Sequence, residues 1–314
     1  MQKIKIGIST CLLGEKVRYD GGHKLDRYIT DTLGHYFEWV PVCPEVESGL
    51  PVPRESMHLV GNPASPRIVT IRTGVDHTRG MKEWTKDKLR QLEKEDLSGF
   101  IFKSKSPSSR LGGTKVYTSS GMPSNKGTGI FGGAFMSYFP FIPVIDDERL
   151  HNPNLRENFM EQVLVYKRWK SFLKNGSKIR DLMAFHTNLK LLILSHSPKH
   201  YSALGKLIAQ AKKYQPDVLY SEYIRILMEG VRLLATIKKN TNVLLHIAGY
   251  FKKQLTSEDK RELLEVIDQY HKGYIPLIVP IVLINHYVRK LDEPYLKTQF
   301  YLNLHPICDF RFSE

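Results

Sequence analysis

Cysteine is scarce in this 314-residue chain: only Cys11, Cys43 and Cys308 occur, far apart. No two form a CxxC pair, so a zinc finger is excluded, and so few sulfurs exclude a disulfide-stapled miniprotein. Long apolar runs are also missing. The longest, Tyr274 to Ile284, contains Pro276 and Pro280 and falls short of the ~20 residues that span a bilayer. The opening MQKIKIGIST has no apolar stretch of signal-peptide length. With 22 glycines and 17 prolines the chain has no collagen or low-complexity character. A cytoplasmic, reducing location is expected, where isolated cysteines tend to be metal ligands or catalysts rather than bridged.

Acidic residues are the minority, 32 against 46 basic ones, for a net charge of +14. The imbalance is uneven. Residues 1–155 hold 21 Lys+Arg against 17 Asp+Glu, and residues 156–314 hold 25 against 15, so the second part carries +10. Such a half suits a polyanionic partner, with RNA, DNA or a membrane surface all possible, or is simply a basic solvated face. The 41% hydrophobic content is that of an ordinary globular chain, and the length predicts about two domains.

The first half alternates strand and helix signals. Lys3–Ser9, Phe37–Val42, Arg67–Arg72, Gly99–Lys103 and Phe141–Ile145 read as strands. Lys24–Leu33, Met81–Glu95 and Gly127–Ser137 read as helices. Strands separated by helices of this length predict an α/β domain with a mainly parallel, doubly wound (Rossmann-like) sheet over residues 1–148. Beyond Asp146-Asp147-Glu148 the pattern turns helical, beginning with a long helix at Asn154–Lys174. Ser257 reads as an N-cap, with Gly273 as the stop of its helix. Residues 149–314 are therefore expected to form an all-α domain, basic and suited to RNA binding.

Ligands of open α/β sheets bind outside the carboxyl ends of the strands. Three such ends carry chemistry-bearing residues. Cys11 follows the first strand, with Arg18, Asp20 and His23 in the turn beyond it. Cys43 follows the second, and Glu45 comes two residues later. Lys103, Lys105, Ser106 and Ser109 follow Gly99–Lys103. A lone cysteine is ordinarily a buried structural thiol, but two at neighbouring strand ends point to one shared crevice. Glu45 is a candidate general acid or base, or a surface carboxylate beside a turn. Asp20 and His23 are equally candidates for helix caps. Ser106 lies in a loop suited to holding a phosphate or activating a water, or in a plain Ser-rich turn. Cys308 reads as incidental.

Four stretches, ISTCLLGEKVRYDGGHK (8–24), VCPEVESGLPVPRE (42–55), FKSKSPSS (102–109) and KVYTSSGMPSNKGTGIF (115–131), together resemble the thiouracil desulfidase family. The segment RLHNPNLRENFMEQVLVYKRW (149–169) and the helices after it are similar to the helical domain fused to some of its members, the bacterial enzymes that desulfurate 4-thiouridine in transfer RNA. The resemblance implies a [4Fe-4S] cluster held by three cysteines, one iron being left open to bind the sulfur of a thiolated uracil base. It assigns Cys11 and Cys43 as ligands, Glu45 as the proton-transfer group and Ser106 as its assistant. The products are uracil and hydrosulfide, without net redox change.

The third ligand is expected at residue 109, which here is Ser109. A hydroxyl is a much poorer iron–sulfur ligand than a thiolate, so the cluster is expected to be absent or unstable in this chain. Arg110, Gly112 and Gly113 also depart from the family pattern. The leading expectation is desulfidation of 4-thiouridine in transfer RNA. The alternatives are the same chemistry on free thiouracil or its nucleotide, and an inactive RNA-binding protein. Arg18, Lys103 and Lys105 are expected near the substrate. Arg156, Lys167, Arg168, Lys170, Lys174, Lys178, Arg180, Lys212 and Lys213 are expected to meet the RNA backbone.

Overall fold

A computed structural model describes residues 3–117, 123–174 and 178–303. Cys308 lies outside them, as do residues 118–122 of the fourth matching stretch. Two compact units follow one another, Met1–Phe159 and Met160–Glu314.

Among the described residues the first unit contains eight strands: β1 (Ile4–Ser9), β2 (Phe37–Val42), β3 (Met57–Asn62), β4 (Ser65–Thr70), β5 (Phe100–Phe102), β6 (Thr114–Tyr117), β7 (Pro123–Gly127) and β8 (Val144–Asp146). Its helices are α1 (Pro44–Glu47), α2 (Thr78–Glu93), α3 (Ile130–Tyr138) and α4 (Asp147–Leu150), and α5 (Pro153–Lys174) starts within it. One sheet has the order β2-β1-β5-β8, with every pair parallel. From β1 the chain moves outward to β2 and then crosses to β5 on the other side. That reversal puts the switch point of the sheet between the ends of β1 and β5, where such sheets bind ligands. Ile6 and Ile8 of β1 and all of β5 are fully buried, as expected for a parallel sheet covered on both faces.

An aromatic block seats a helix on this sheet. The rings of Phe100 and Phe102 on β5 meet those of Phe131 and Phe135 on α3 at centroid distances of 4.8–5.9 Å. All four are buried. We expect Phe135→Ala to destabilise the protein by about 3–5 kcal/mol, because truncation forfeits both transfer energy and packing. Urea unfolding checks this; a change below about 1 kcal/mol in the same experiment contradicts the packing account.

A second sheet, β4-β3-β6-β7, was not expected. Residues 67–72, read as a strand of the main sheet, lie mostly in β4, which pairs antiparallel with β3. The β3–β4 turn is closed by Asn62, whose side-chain oxygen accepts from the Ala64 amide at 2.9 Å. Leu59, Ile68, Met81, Val116 and Ile130 form the core beneath this sheet. The segment read as the helix Lys24–Leu33 is a π turn at Tyr28–Thr32 running into a 3-10 turn.

The second unit is all-helical: the rest of α5, then α6 (Ile179–His196), α7 (Pro198–Ala209), α8 (Pro216–Val231), α9 (Ile237–Tyr250), α10 (Ser257–His271), α11 (Ile278–Lys290) and α12 (Pro294–Lys297). Trp169 stacks on Tyr223 at 5.4 Å near its centre. Hydroxyl caps start several helices: Ser197 accepts from His200, Thr236 from Lys239 and Thr256 from Asp259. The α10 cap is thus Thr256, one residue before the expected Ser257. Gly273 ends that helix at a φ of 77°, a conformation that favours glycine. Among the described residues no helix is long and apolar enough to cross a membrane.

Candidate active site at the carboxyl ends of the parallel strands

Three strand exits converge on one cavity. Past β1 the chain turns through a 3-10 turn, Thr10–Leu13, which carries Cys11 and ends at Gly14 with a φ of 93°. Past β2, Cys43 stands at the N-terminus of the one-turn helix α1, with Pro44 at its first position. The Cys43 amide donates to the Glu47 carboxylate at 2.8 Å, closing that turn. Past β5, the Lys103 amide donates to the Ser9 hydroxyl at 2.8 Å and ties the exits of β5 and β1 together.

Glycine packing holds the loop after Lys103. The amides of Phe131 and Gly132 donate to the Ser108 carbonyl, and the Gly129 amide donates to that of Arg110. A Cβ on Gly129 would lie 2.4 Å from the Ser108 carbonyl oxygen, and one on Gly132 2.5 Å from that of Ser109. Only glycine lets the first turn of α3 come this close to the loop.

The resulting cavity has a volume of about 330 Å³ and is lined by Cys11, Arg18, Tyr19, Cys43, Glu45, Arg54, Met57, Lys103, Lys105, Ser106 and Ser109, among others. Glu45 is only 8% exposed. Its Oε1 accepts from the Ser108 hydroxyl at 2.6 Å and from the Ser106 hydroxyl at 3.2 Å. The Cys43 thiol donates toward Oε2 at 3.7 Å. Ser108 also contacts the Ser109 hydroxyl at 3.2 Å. One buried carboxylate thus takes hydrogen bonds from two hydroxyls and a thiol, with the Ser109 hydroxyl linked through Ser108.

Burial pushes the Cys11 thiol up to about 11, against the pull of Lys103. Burial, reinforced by the Glu45 carboxylate, pushes Cys43 up to about 12. Both are protonated thiols at neutral pH. Binding a metal through them releases protons, so loading grows more favourable as pH rises.

The two lysines of this loop are already paired. Lys103 meets Asp147 at 2.6 Å, with both side chains largely buried, and the Ser104 amide donates to the same carboxylate at 2.6 Å. Burial alone would raise the Asp147 carboxyl, but these partners hold it below its usual value. Lys105, at a φ of 58°, pairs with Glu148 at 2.5 Å on the surface.

Residues 6–147 match the family described as 2-thiouracil desulfurase. Residues 190–306 match a second family, described as a protein of unknown function, DUF1722. An uncharacterized Escherichia coli (strain K12) protein, YbgA, is 32% identical over 134 residues, 42% of this chain and 79% of the relative. The chain belongs to the family of YbgA, and its residues 6–147 form a domain of the 2-thiouracil desulfurase kind joined to the DUF1722 domain. A solved [4Fe-4S]-dependent thiouracil desulfidase, TudS, is 29% identical, covering 48% of this chain and 94% of its own, at a TM-score of 0.38.

The desulfurase domain does not offer the three thiolates that a cysteine-held cluster takes. Cys11 and Cys43 line the cavity, but the third position is the Ser109 hydroxyl, 3% exposed and engaged with Ser108. Among the described residues no group of three or more His, Cys, Asp and Glu is arranged to hold a metal ion. The donor set therefore does not fit the group, for want of one sulfur.

The cavity brings together Cys11, Arg18, Cys43, Glu45, Lys103, Lys105, Ser106 and Ser109. Asp20 and His23 have local roles, accepting from the amides of Gly22 and Leu25. In the helical unit, Arg168 stacks over the Phe300 ring at 4.2 Å and donates to the Asn303 carbonyl. Lys170 lies over the Tyr166 ring at 5.4 Å, and Lys167 is half-buried. Lys178, Arg180, Lys212 and Lys213 are exposed. Sequence reasoning missed Ser108, the shortest hydrogen bond to Glu45, although it lies in the same Ser-Pro-Ser-Ser run. It also missed Tyr19 and Arg54, which line the cavity from the two Gly- and Pro-rich turns.

Proposed function

We propose that this chain recognises 4-thiouridine in transfer RNA, and that its chemistry is iron–sulfur-dependent desulfidation held back by the missing thiolate at residue 109. One observation carries the reading: a single cavity gathers Cys11, Cys43, Glu45, Ser106 and the residue-109 position from three separate strand ends. The match of residues 6–147 to the 2-thiouracil desulfurase family supports a thiolated uracil as the substrate class.

The reaction balances without electron transfer. Water adds its oxygen at the ring carbon, the carbon–sulfur bond breaks, and hydrosulfide leaves. In this reading Glu45 takes the proton of the attacking water and returns one to the departing sulfur. Ser106 and Ser108 hold the Glu45 oxygen that does this work. A volume of about 330 Å³ is at the small end of the range for small-molecule pockets, about 300–1,000 Å³. It suits one base, so a base in folded RNA must leave its stack to enter. Tyr19, 45% exposed at the rim with Arg18 over its ring at 5.4 Å, offers a face for stacking.

Charge favours the polymer over the free nucleotide, since residues 156–314 carry +10. Phosphates neutralised by lysine and arginine release counterions, so binding weakens steeply with salt. We expect the logarithm of Kd for transfer RNA to rise with the logarithm of salt concentration at a slope of about 3 or more. Fluorescence anisotropy across a potassium chloride series measures it. A slope near zero, or equal affinity for the free nucleotide, contradicts the polymer reading.

A further inference from the structure

A second cavity in the α/β unit shares no lining residue with the first. It measures about 560 Å³ and lies among α2, the β3–β4 turn and the start of α3. Lys82, Lys86 and Arg90 line it at four-residue spacing, which stacks them on one face of α2. No lining residue is acidic. Among the described residues neither Lys82 nor Lys86 has a carboxylate partner; Arg90 has only a loose, exposed contact with Asp87 at 3.9 Å.

The wall also holds an unsatisfied donor. Thr85 lines the cavity on α2 between these cations and is 4% exposed, and its buried hydroxyl has no hydrogen-bond partner. Buried hydroxyls are normally paired, and leaving one unmade is costly. A basic cavity with a spare hydroxyl in its wall is suited to a tetrahedral oxyanion, which accepts from both ammonium groups and hydroxyls.

We infer that this cavity binds phosphate groups, and that in the complex they are those of the RNA backbone. The second clause rests on the transfer-RNA reading; the first does not. Thr128, Gly129, Ile130 and Gly133, from the start of α3, also line the cavity. The amides of Gly129 and Phe131 donate to the loop that carries Ser108. A phosphate held here therefore lies against the turn that positions the active-site loop.

Two variants of the full chain test the site. Lys82→Ala/Lys86→Ala/Arg90→Ala removes the charge, and Thr85→Val removes only the hydroxyl at constant volume. The probes are inorganic pyrophosphate by calorimetry at low salt and an unmodified transfer-RNA transcript by anisotropy across a salt series. For pyrophosphate we expect binding to the unaltered protein, a loss of at least about tenfold in the triple variant and about tenfold in Thr85→Val. Without ligand, Thr85→Val should melt a few degrees higher, about 2 °C or more, because an unpaired buried hydroxyl has gone. For RNA the triple variant should lower the salt slope by about 2. Pyrophosphate binding lost in the variants, with no RNA binding by the unaltered protein, upholds the phosphate site and removes the RNA reading. RNA binding with an unchanged slope in the triple variant, together with no pyrophosphate binding, overturns the site and leaves the RNA reading standing. No binding of either probe overturns both.

Discussion

Ser109→Cys should turn a protein that holds little iron into one that carries about four irons and matching sulfide per chain. The chain as it stands should carry well under one. The substitution changes a single atom, and the position is already buried in the wall of the cavity shared by Cys11 and Cys43. A hydroxyl remains protonated and hard where iron–sulfur clusters take soft, deprotonated sulfur. The two cysteines present are themselves raised to about 11 and 12 by burial. Each must release its proton to solvent to bind iron as a thiolate, so a set with one weak donor has little binding energy to set against that cost. Loading of the substituted chain should improve as pH rises, since proton competition falls. Anaerobic reconstitution followed by iron and acid-labile sulfide assays, with the visible spectrum, gives the answer. A full cluster in the unsubstituted chain contradicts the ligand assignment, and loss of that cluster in Cys308→Ser would then assign the third ligand to Cys308.

In the Ser109→Cys background, Glu45→Gln should lower the rate of desulfidation by about 10²–10⁴-fold while leaving the iron content unchanged. Glutamine keeps an acceptor oxygen for Ser106 and Ser108, which now donate to Glu45 at 3.2 and 2.6 Å. It removes only the ability to take and return a proton. Rates comparable to the parent would reduce Glu45 to a structural carboxylate that organises the serine loop. Ser106→Ala should cost less, because Ser108 still fixes the same oxygen.

The parallel sheet was legible because its strands are short apolar runs ending in abrupt chemical punctuation: Ser9 before Thr10-Cys11, Val42 before Cys43-Pro44, Phe102 before Lys103. Those ends carry the candidate site residues, so a correct strand reading also located the cavity they line. The second sheet was not legible. Its strands β6 and β7 are four and five residues long, and β7, Pro123–Gly127, is polar and glycine-terminated, with no strand signal of its own. Its register comes from pairing with β6. Partners distant in sequence were equally hidden. Lys103 looks like a free cation beside a Ser-rich loop, yet Asp147, 44 residues on, takes its charge. Arg168 looks like a solvated helix charge, yet the Phe300 ring and the Asn303 carbonyl occupy it. Periodicity reports which face of an element is buried, and pairing across the fold decides what each charge on it is free to do.

The most direct measurement is single-turnover treatment of transfer RNA containing 4-thiouridine with reconstituted Ser109→Cys protein under anaerobic conditions, following hydrosulfide release and the nucleosides of the digested RNA. We expect one hydrosulfide and one uridine for each 4-thiouridine lost, with the unsubstituted chain inert. A cluster-loaded Ser109→Cys protein that leaves 4-thiouridine intact would contradict that expectation.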